Sequence, residues 1–121
     1  MEQTIQGGVG WDLARLTGDI TSADTGALEQ MLQRFLAVGR YRVILDLSGV
    51  TYIGSAGLSI LIRYTALFRN WERGDLYLAA LSPPLKNLLQ VAGLLSEERS
   101  HFSIFPTVNA AQESAQKRLS Q

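Results

Sequence analysis

Residues 42–58 read RVILDLSGVTYIGSAGL, and this stretch decides how the rest of the chain is interpreted. Its first six residues, 42–47, are mostly Val, Ile and Leu, a pattern typical of a strand that is buried on both faces. Residues 48–54 contain two glycines and predict a loop. A long helix is predicted to begin at Ser55 and to run to about Trp71. A buried strand that leads through a short loop into a helix indicates an α/β fold.

The sequence on either side repeats this alternation of strands and helices. Further strands are predicted at residues 11–16, 75–81 and 102–105, with an edge strand at 4–9. Further helices are predicted from Ser22 to Val38 with Gly39 ending it, from Ser82 to Gly93, and from Thr107 to Leu119. We therefore expect residues 1–121 to form one α/β domain, with a mainly parallel sheet of four to five strands backed by about four helices.

Composition excludes several classes of function. The chain has 121 residues, with 11 Lys and Arg against 11 Asp and Glu, so it lacks the basic excess of proteins that bind nucleic acid or anionic membranes. It has no Cys and one His, His101, which argues against thiol chemistry and multi-histidine metal sites. The first four residues include Glu2 and contain no apolar run, so we expect no signal peptide, and the apolar stretches are shorter than a membrane span. We expect a cytoplasmic protein with no catalytic residue, no metal and no cofactor.

Ser55 is the main candidate for a functional residue. Gly54 and Gly57 flank it and allow close backbone approach, and it lies at a helix N-terminus, where free N–H groups favour an anion. A phosphate on Ser55 would be tolerated there. The simpler interpretation is that Ser55 is the N-cap of the helix.

The helix after Ser55 also carries two apolar stripes. The stripe expected to face the core comprises Leu58, Leu61, Ile62, Thr65 and Phe68. The second stripe, nearly opposite, comprises Ile60, Tyr64, Leu67 and Trp71. It predicts either a docking surface, for a partner or a second copy of the chain, or side chains that fold back onto neighbouring elements.

Residues 46–58 resemble the signature of the STAS domain, the fold shared by sulfate transporters and anti-sigma factor antagonists. Residues 16–20 and 82–94 resemble other parts of that family, so the likeness extends from about residue 11 to residue 115. The resemblance implies a mainly parallel sheet with helices on one face. It also implies that a partner-switching serine kinase, itself an anti-sigma factor, phosphorylates Ser55. The unmodified form would bind the kinase and release the sigma factor, and a phosphatase would reverse the modification.

The resemblance places the partner-binding surface around this serine and on the neighbouring turn. The residues concerned are Gly54, Ser55, Ala56, Gly57, Asp19 and Thr21, together with the second stripe of the helix. Gly54 stands where the family usually has Asp, and Ala56 and Thr21 also depart from its common pattern. These departures leave a second hypothesis open, a constitutive STAS accessory subunit of a lipid-transport ATPase complex. A homodimer is a further expectation.

Overall fold

Five strands and four helices are formed by the part of the chain that the structure, a computed structural model, describes: residues 1–70, 73–95 and 102–119. The strands are β1 (Glu2–Gly7), β2 (Asp12–Thr17), β3 (Arg42–Gly49), β4 (Asp75–Ala79) and β5 (Ser103–Phe105). The helices are α1 (Thr25–Ala37, preceded by a 3-10 turn at Ser22–Asp24), α2 (Ser55–Arg69), α3 (Pro83–Val91) and α4 (Val108–Leu119). None of the helices in these ranges is long and apolar enough to cross a membrane.

The strands form one sheet in the order β1-β2-β3-β4-β5. The strand β1 pairs antiparallel with β2, whereas β2, β3, β4 and β5 pair in parallel. The predicted edge strand is therefore confirmed, although it begins and ends about two residues earlier than expected. The predicted mainly parallel sheet of four to five strands is confirmed as well.

Helices cover both faces of the sheet, and this corrects the expectation of helices on one face. One apolar cluster joins α1, α2 and α3 to inward residues of the central strands, such as Leu45 and Leu76. A second cluster joins Ala111 and Ala115 of α4 to Ile44 and Tyr77, which point to the opposite face. The small side chains of Ala111 and Ala115 let α4 lie close to the sheet. The first three helices therefore form the layer that carries the candidate site.

Two glycines end helices as predicted. Gly39 has a φ of +76° after α1, and Gly93 has a φ of +77° after α3, a conformation that residues with a Cβ adopt only under strain. The Ser82 hydroxyl caps α3 by accepting from the Leu85 N–H and also donates to the Val50 carbonyl.

Some predicted boundaries differ from the structure. The strand β3 continues through residues 48 and 49, β4 ends at Ala79 rather than at residue 81, and α2 ends at Arg69. Trp71 and His101 lie outside the described residues.

Gly74 directly precedes β4 and is the most crowded glycine in the described part of the chain. A Cβ on Gly74 would lie 1.9 Å from the Tyr41 carbonyl oxygen. The same carbonyl accepts the N–H of Asp75 at 2.9 Å, and this hydrogen bond sets the start of β4 beside β3. Asp75 is buried and accepts from Arg69 Nε at 2.8 Å and from the Ser103 hydroxyl. The close approach at Gly74 therefore aligns the strand with the end of α2 and with β5.

Candidate functional site

Two loops at the carboxyl ends of β2 and β3 are joined by backbone hydrogen bonds. The Gly18 N–H donates to the Gly49 carbonyl at 3.0 Å, and the Ile20 N–H donates to the Tyr52 carbonyl at 2.9 Å. The Gly54 N–H returns to the Ile20 carbonyl at 2.8 Å. These bonds extend the parallel pairing beyond the strands, so both loops are fixed against each other where α2 begins.

The turn that contains Thr21 has its own hydrogen bonds. The Thr21 N–H donates to the Asp24 carboxylate at 2.9 Å, and the Ala23 N–H donates to the Thr21 hydroxyl oxygen at 3.3 Å. The Thr21 N–H is the main reason that the pKa of Asp24 lies below its usual value. Asp19, also on this turn, accepts from the Thr51 hydroxyl at 3.0 Å. The predicted partner-binding residues Asp19 and Thr21 are thus exposed and held beside the loop that leads to Ser55.

Ser55 is the first residue of α2, and Gly54 is its N-cap. The interpretation of Ser55 as a capping residue is therefore wrong, because the cap position falls one residue earlier and no side chain caps the helix. The Ser55 side chain is exposed, and no described residue hydrogen-bonds to its hydroxyl. Its hydroxyl is consequently available for chemistry or for a partner.

A shallow depression of about 310 Å³ surrounds Ser55. It is lined by Thr21, Ser22, Tyr52, Gly54, Ser55 and Ala56. Four of these were predicted from the sequence, while Ser22 and Tyr52 were missed. Tyr52 is 47% exposed, which is unusual for an aromatic side chain next to a buried strand. None of the six side chains carries a full charge at pH 7, so a phosphate on Ser55 would dominate the local potential.

Gly57 lies beneath the depression and is buried. A Cβ there would meet Ile53 Cγ2 at 2.9 Å and Ile20 Cγ2 at 3.1 Å, closer than side chains normally pack. At Gly54 the nearest atom would be the Ile20 carbonyl oxygen at 3.6 Å, an ordinary contact. Gly57 is therefore required by packing between the two loops, whereas position 54 has room for a side chain.

We expect Gly57→Val to destabilise the domain by about 1–3 kcal/mol, because Ile20 and Ile53 must move to admit the larger side chain. The matched control is Ala56→Val, one residue away and exposed, for which we expect a change within about 0.5 kcal/mol. Urea unfolding followed by circular dichroism measures both. Equal midpoints for the two variants would contradict the packing argument.

The predicted docking stripe on α2 is wrong for two of its four residues. Ile60 is 7% exposed and Tyr64 is 3% exposed, because α1 lies along this flank of α2 while the sheet covers the other. The Tyr64 hydroxyl lies 3.1 Å from Gln33 Oε1 and 3.3 Å from Glu29 Oε1 on α1. Burial, together with the Glu29 carboxylate, raises the pKa of Tyr64. Ile60 and Tyr64 therefore belong to the core between the two helices.

Leu67 is the described member of that stripe that remains exposed. It follows Ser55 by 12 residues, which is about 18 Å along the helix. The prediction for Trp71 falls outside the described residues. The structure thus joins Gly54, Ser55, Ala56 and Thr21 in one depression and leaves Leu67 at a distance from it.

Asp46 forms hydrogen bonds near the end of β3, just before the loop that leads to Ser55. It is buried near the end of β3 and accepts from Arg15 Nε at 2.9 Å and from the Ser48 N–H at 3.0 Å. Burial alone would raise the pKa of Asp46, but the hydrogen bonds from Ser48 and Arg15 outweigh it and lower the pKa overall. No group of three or more His, Asp or Glu side chains within the described ranges is arranged to hold a metal ion.

Because the pKa of Asp46 is lowered in the folded state, we expect the free energy of unfolding to decrease at acidic pH. A carboxyl group whose pKa is lower in the folded state stabilises the fold above its ordinary pKa, and this contribution is lost as the pH falls through the folded value. We therefore expect urea unfolding midpoints to be lower at pH 3 than at pH 6. Arg15→Gln should reduce this difference, since it removes one of the groups that favour the ionised form. If the unfolding midpoints of Arg15→Gln at pH 3 and pH 6 differ as much as those of wild type, the acid destabilisation does not come from Asp46.

Comparison with known proteins identifies the family. The STAS domain family profile matches residues 4–111. The chain belongs to the STAS domain family. A curated relative, BtrV of Bordetella bronchiseptica, is 33% identical over 103 residues, which cover 85% of this chain and 82% of BtrV. Its name gives it the role of an anti-sigma factor antagonist.

Solved structures share the STAS fold seen here. An anti-sigma factor antagonist from Mycobacterium paratuberculosis aligns with a TM-score of 0.78 at 23% identity, over 95% of this chain and 93% of that one. Unphosphorylated SpoIIAA, another anti-sigma factor antagonist, aligns with a TM-score of 0.77 at 13% identity, over 96% and 97% of the two chains. Phosphorylated SpoIIAA, from Bacillus, aligns with a TM-score of 0.69 at 13% identity, over 93% and 98%. At these identities the likeness establishes the fold.

Proposed function

We propose that this STAS domain is an anti-sigma factor antagonist that binds a serine-kinase anti-sigma factor and is switched off by phosphorylation of Ser55. The observation that carries the proposal is the exposed Ser55 hydroxyl, which no described residue engages, at the first position of α2. The role in the name of BtrV, a 33% identical relative, supports the antagonist function. The two forms of SpoIIAA, unphosphorylated and phosphorylated, support regulation by phosphate in proteins of this fold.

The position of Ser55 suits a switch that leaves the domain folded. A phosphate adds about −1.5 to −2 charges at pH 7. At a helix N-terminus this charge interacts favourably with the free N–H groups and the helix dipole, by roughly 0.3–1 kcal/mol. The modification would therefore act on the partner rather than on the fold. A phosphatase would return the domain to its binding form, and both reactions would take place in the cytoplasm.

The partner-binding surface in this proposal is the depression around Ser55. Tyr52 gives it an exposed aromatic side chain, and Thr21 and Ser22 give it hydroxyl groups that can bond to a partner. Aromatic side chains at the centre of an interface often contribute a large share of its binding energy. The surface is small and its lining side chains are uncharged, so a single added phosphate would make its electrostatic potential strongly negative.

The proposal is tested by incubating the purified chain with ATP and the anti-sigma factor kinase of its source cell, and mapping any phosphate by mass spectrometry. We expect one phosphate, on Ser55, and none on the Ser55→Ala variant. The matched control is Ser59→Ala, one turn further along α2, where the hydroxyl already donates to the Ser55 carbonyl at 3.0 Å. Phosphorylation elsewhere, or none at all, would overturn the switch.

The alternative is a constitutive accessory subunit of a lipid-transport ATPase complex. Its support is Gly54, which leaves no carboxylate directly before Ser55. The burial of Ile60 and Tyr64 removes the apolar stripe that also favoured it. Copurification from the source cell distinguishes the two functions. A transporter ATPase that binds wild type and Ser55→Asp equally would favour the alternative.

A further inference from the structure

The outer edge of β1 is open within the part of the chain that the structure describes. The strand lies at one end of the sheet, and all six of its residues, EQTIQG, are exposed. Proteins commonly protect such edges with Lys, Pro, a β-bulge or a covering loop. β1 contains no Lys and no Pro, and its pairing with β2 runs from Glu2↔Thr17 to Gly7↔Asp12 without a bulge.

The hairpin between β1 and β2 shows which backbone groups face outward. The Gly8 N–H donates to the Trp11 carbonyl at 2.8 Å, so this pair is hydrogen-bonded. Hydrogen-bonded and non-hydrogen-bonded pairs alternate along an antiparallel ladder. The backbone N–H and C=O groups of Gln6, Thr4 and Glu2 therefore form hydrogen bonds with β2. Those of Gln3, Ile5 and Gly7 point to the free edge.

A groove with a mainly apolar lining runs beside this edge, and Gln30, Arg34 and the ion pair of Asp12 with Arg40 also line it. Gln3 and Ile5 share it with α1, and its volume is about 380 Å³. Met31 and Phe35 form its floor, and Val38 stands at its side. Ile5 is 47% exposed and Val38 is 66% exposed, so the groove leaves large apolar side chains in contact with water.

We propose that a second copy of this chain pairs with β1 through an antiparallel, two-fold symmetric ladder centred on Ile5. In this register Ile5 lies opposite Ile5 of the other copy, and Gln3 lies opposite Gly7. The outward N–H and C=O groups of each strand are then satisfied by those of the other. The two Ile5 side chains point to the same face and cover the grooves of both copies.

The charges favour this arrangement over a parallel one. Glu2 is the single charged side chain of β1, and antiparallel pairing places the two Glu2 residues at opposite ends, about 20 Å apart. That distance exceeds the screening length at physiological salt, about 8 Å. Parallel pairing would put them close together. The chain as a whole has 11 basic and 11 acidic residues, so no net charge opposes association.

The interface of the proposed dimer is small, so we expect the two copies to associate weakly. We expect one six-residue ladder and the two grooves beside it to bury less than the roughly 1,200 Å² of a stable interface, so we expect a dissociation constant on the order of 100 µM. The Ser55 depression is lined by Thr21, Ser22, Tyr52, Gly54, Ser55 and Ala56, and it shares no lining residue with the groove beside β1. The inference is therefore independent of the proposed function.

Single-cysteine cross-linking tests the register, because the chain has no Cys of its own. Residues in a hydrogen-bonded antiparallel pair have Cα atoms about 5.5 Å apart, within the range for a disulfide. Ile5→Cys should therefore give a disulfide-linked dimer with copper–phenanthroline as oxidant. Thr4→Cys is the matched control, also exposed on the same strand, since its two copies would lie about 8 Å apart, too far to bridge. Equal rates for the two variants would overturn the proposal.

Sedimentation equilibrium tests the association without a cross-link. Wild type should dimerise with rising concentration, and Ile5→Lys should raise the dissociation constant about tenfold or more, because each dimer then opposes two like charges. Val91→Lys, an equally polar change at an exposed position of α3, should leave it unchanged. Circular dichroism checks that both variants are folded. A wild type that stays monomeric at about 1 mM, or an Ile5→Lys variant that dimerises normally, would overturn the proposal.

Discussion

Phosphorylation of Ser55 is expected to weaken binding to the anti-sigma factor by about a hundredfold, which corresponds to about 3 kcal/mol. The phosphate would lie in a depression that is lined by uncharged side chains and that a docked partner would cover. Pressing it into the interface would remove its water without supplying a counter-charge from this chain. Ser55→Asp should reproduce part of the loss, because a carboxylate has half the charge and fewer oxygens.

The measurement is a calorimetric titration of four forms against the same kinase: unmodified, phosphorylated, Ser55→Asp and Ser55→Ala. Ser55→Ala should bind as tightly as the unmodified form and should not respond to ATP. Gly54→Asp is the matched control for charge, since position 54 has room for a side chain and a carboxylate there can accept the free N–H groups of α2. It should retain binding. Equal affinity for the phosphorylated and unmodified forms would rule out the switch.

Gly74→Ala is expected to destabilise the fold by about 3 kcal/mol, the largest effect we predict for a single methyl group. The added Cβ would lie 1.9 Å from the Tyr41 carbonyl oxygen, which is backbone and cannot turn away. Relief requires β4 to move from β3, and this would break the Asp75–Tyr41 hydrogen bond of 2.9 Å. It would also displace Asp75 from Arg69, so the buried carboxylate would lose a partner.

Gly26→Ala is the control with identical chemistry. Gly26 lies in the first turn of α1, and its Cβ would meet nothing within 4 Å. We expect it to stabilise the domain, by up to about 1 kcal/mol, since Ala is the better helix former and restricts the unfolded chain. Urea unfolding at pH 7 measures both variants. A Gly74→Ala midpoint equal to that of wild type would show that the Tyr41 carbonyl does not limit this position.

The order of elements could be predicted from the sequence because each one has a local cause. The apolar run in β3, Gly39 after α1 and Gly93 after α3 act within a few residues of themselves. The placement of α1, α2 and α3 in one layer follows from topology. The parallel strands β2 to β5 lie in the sheet in the order of the sequence, and each is joined to the next through a helix. Because such crossovers are right-handed, all three helices lie on the same face of the sheet. Among the described elements α4 is the last, so it is not part of such a crossover, and its packing on the opposite face could not be predicted this way.

The errors at the candidate site have a different cause. Helical periodicity shows that Ile60 and Tyr64 lie on one flank of α2, but not that α1 covers this flank. The interpretation of Ser55 as a cap is one residue late, because helix boundaries from sequence are uncertain by a residue or more. Tyr52 was missed since its exposure depends on the direction of the loop after β3, which the hydrogen bonds to Ile20 determine. The errors at Ile60, Tyr64 and Tyr52 concern contacts between segments that are distant in sequence, whereas the error at Ser55 is a local one of one residue.

The joined loops around Ser55 bear on how fast the protein can respond to a signal. The backbone hydrogen bonds of Ile20 with Tyr52 and Gly54 are already formed in the chain without a partner, so we expect the loop to keep this conformation on binding. Docking then requires no slow rearrangement of this chain, and release requires none either. In a cell, the time to turn the antagonist on or off would be set by the turnover of the enzymes that add and remove the phosphate. A conformational change of the domain would therefore not limit the rate of switching.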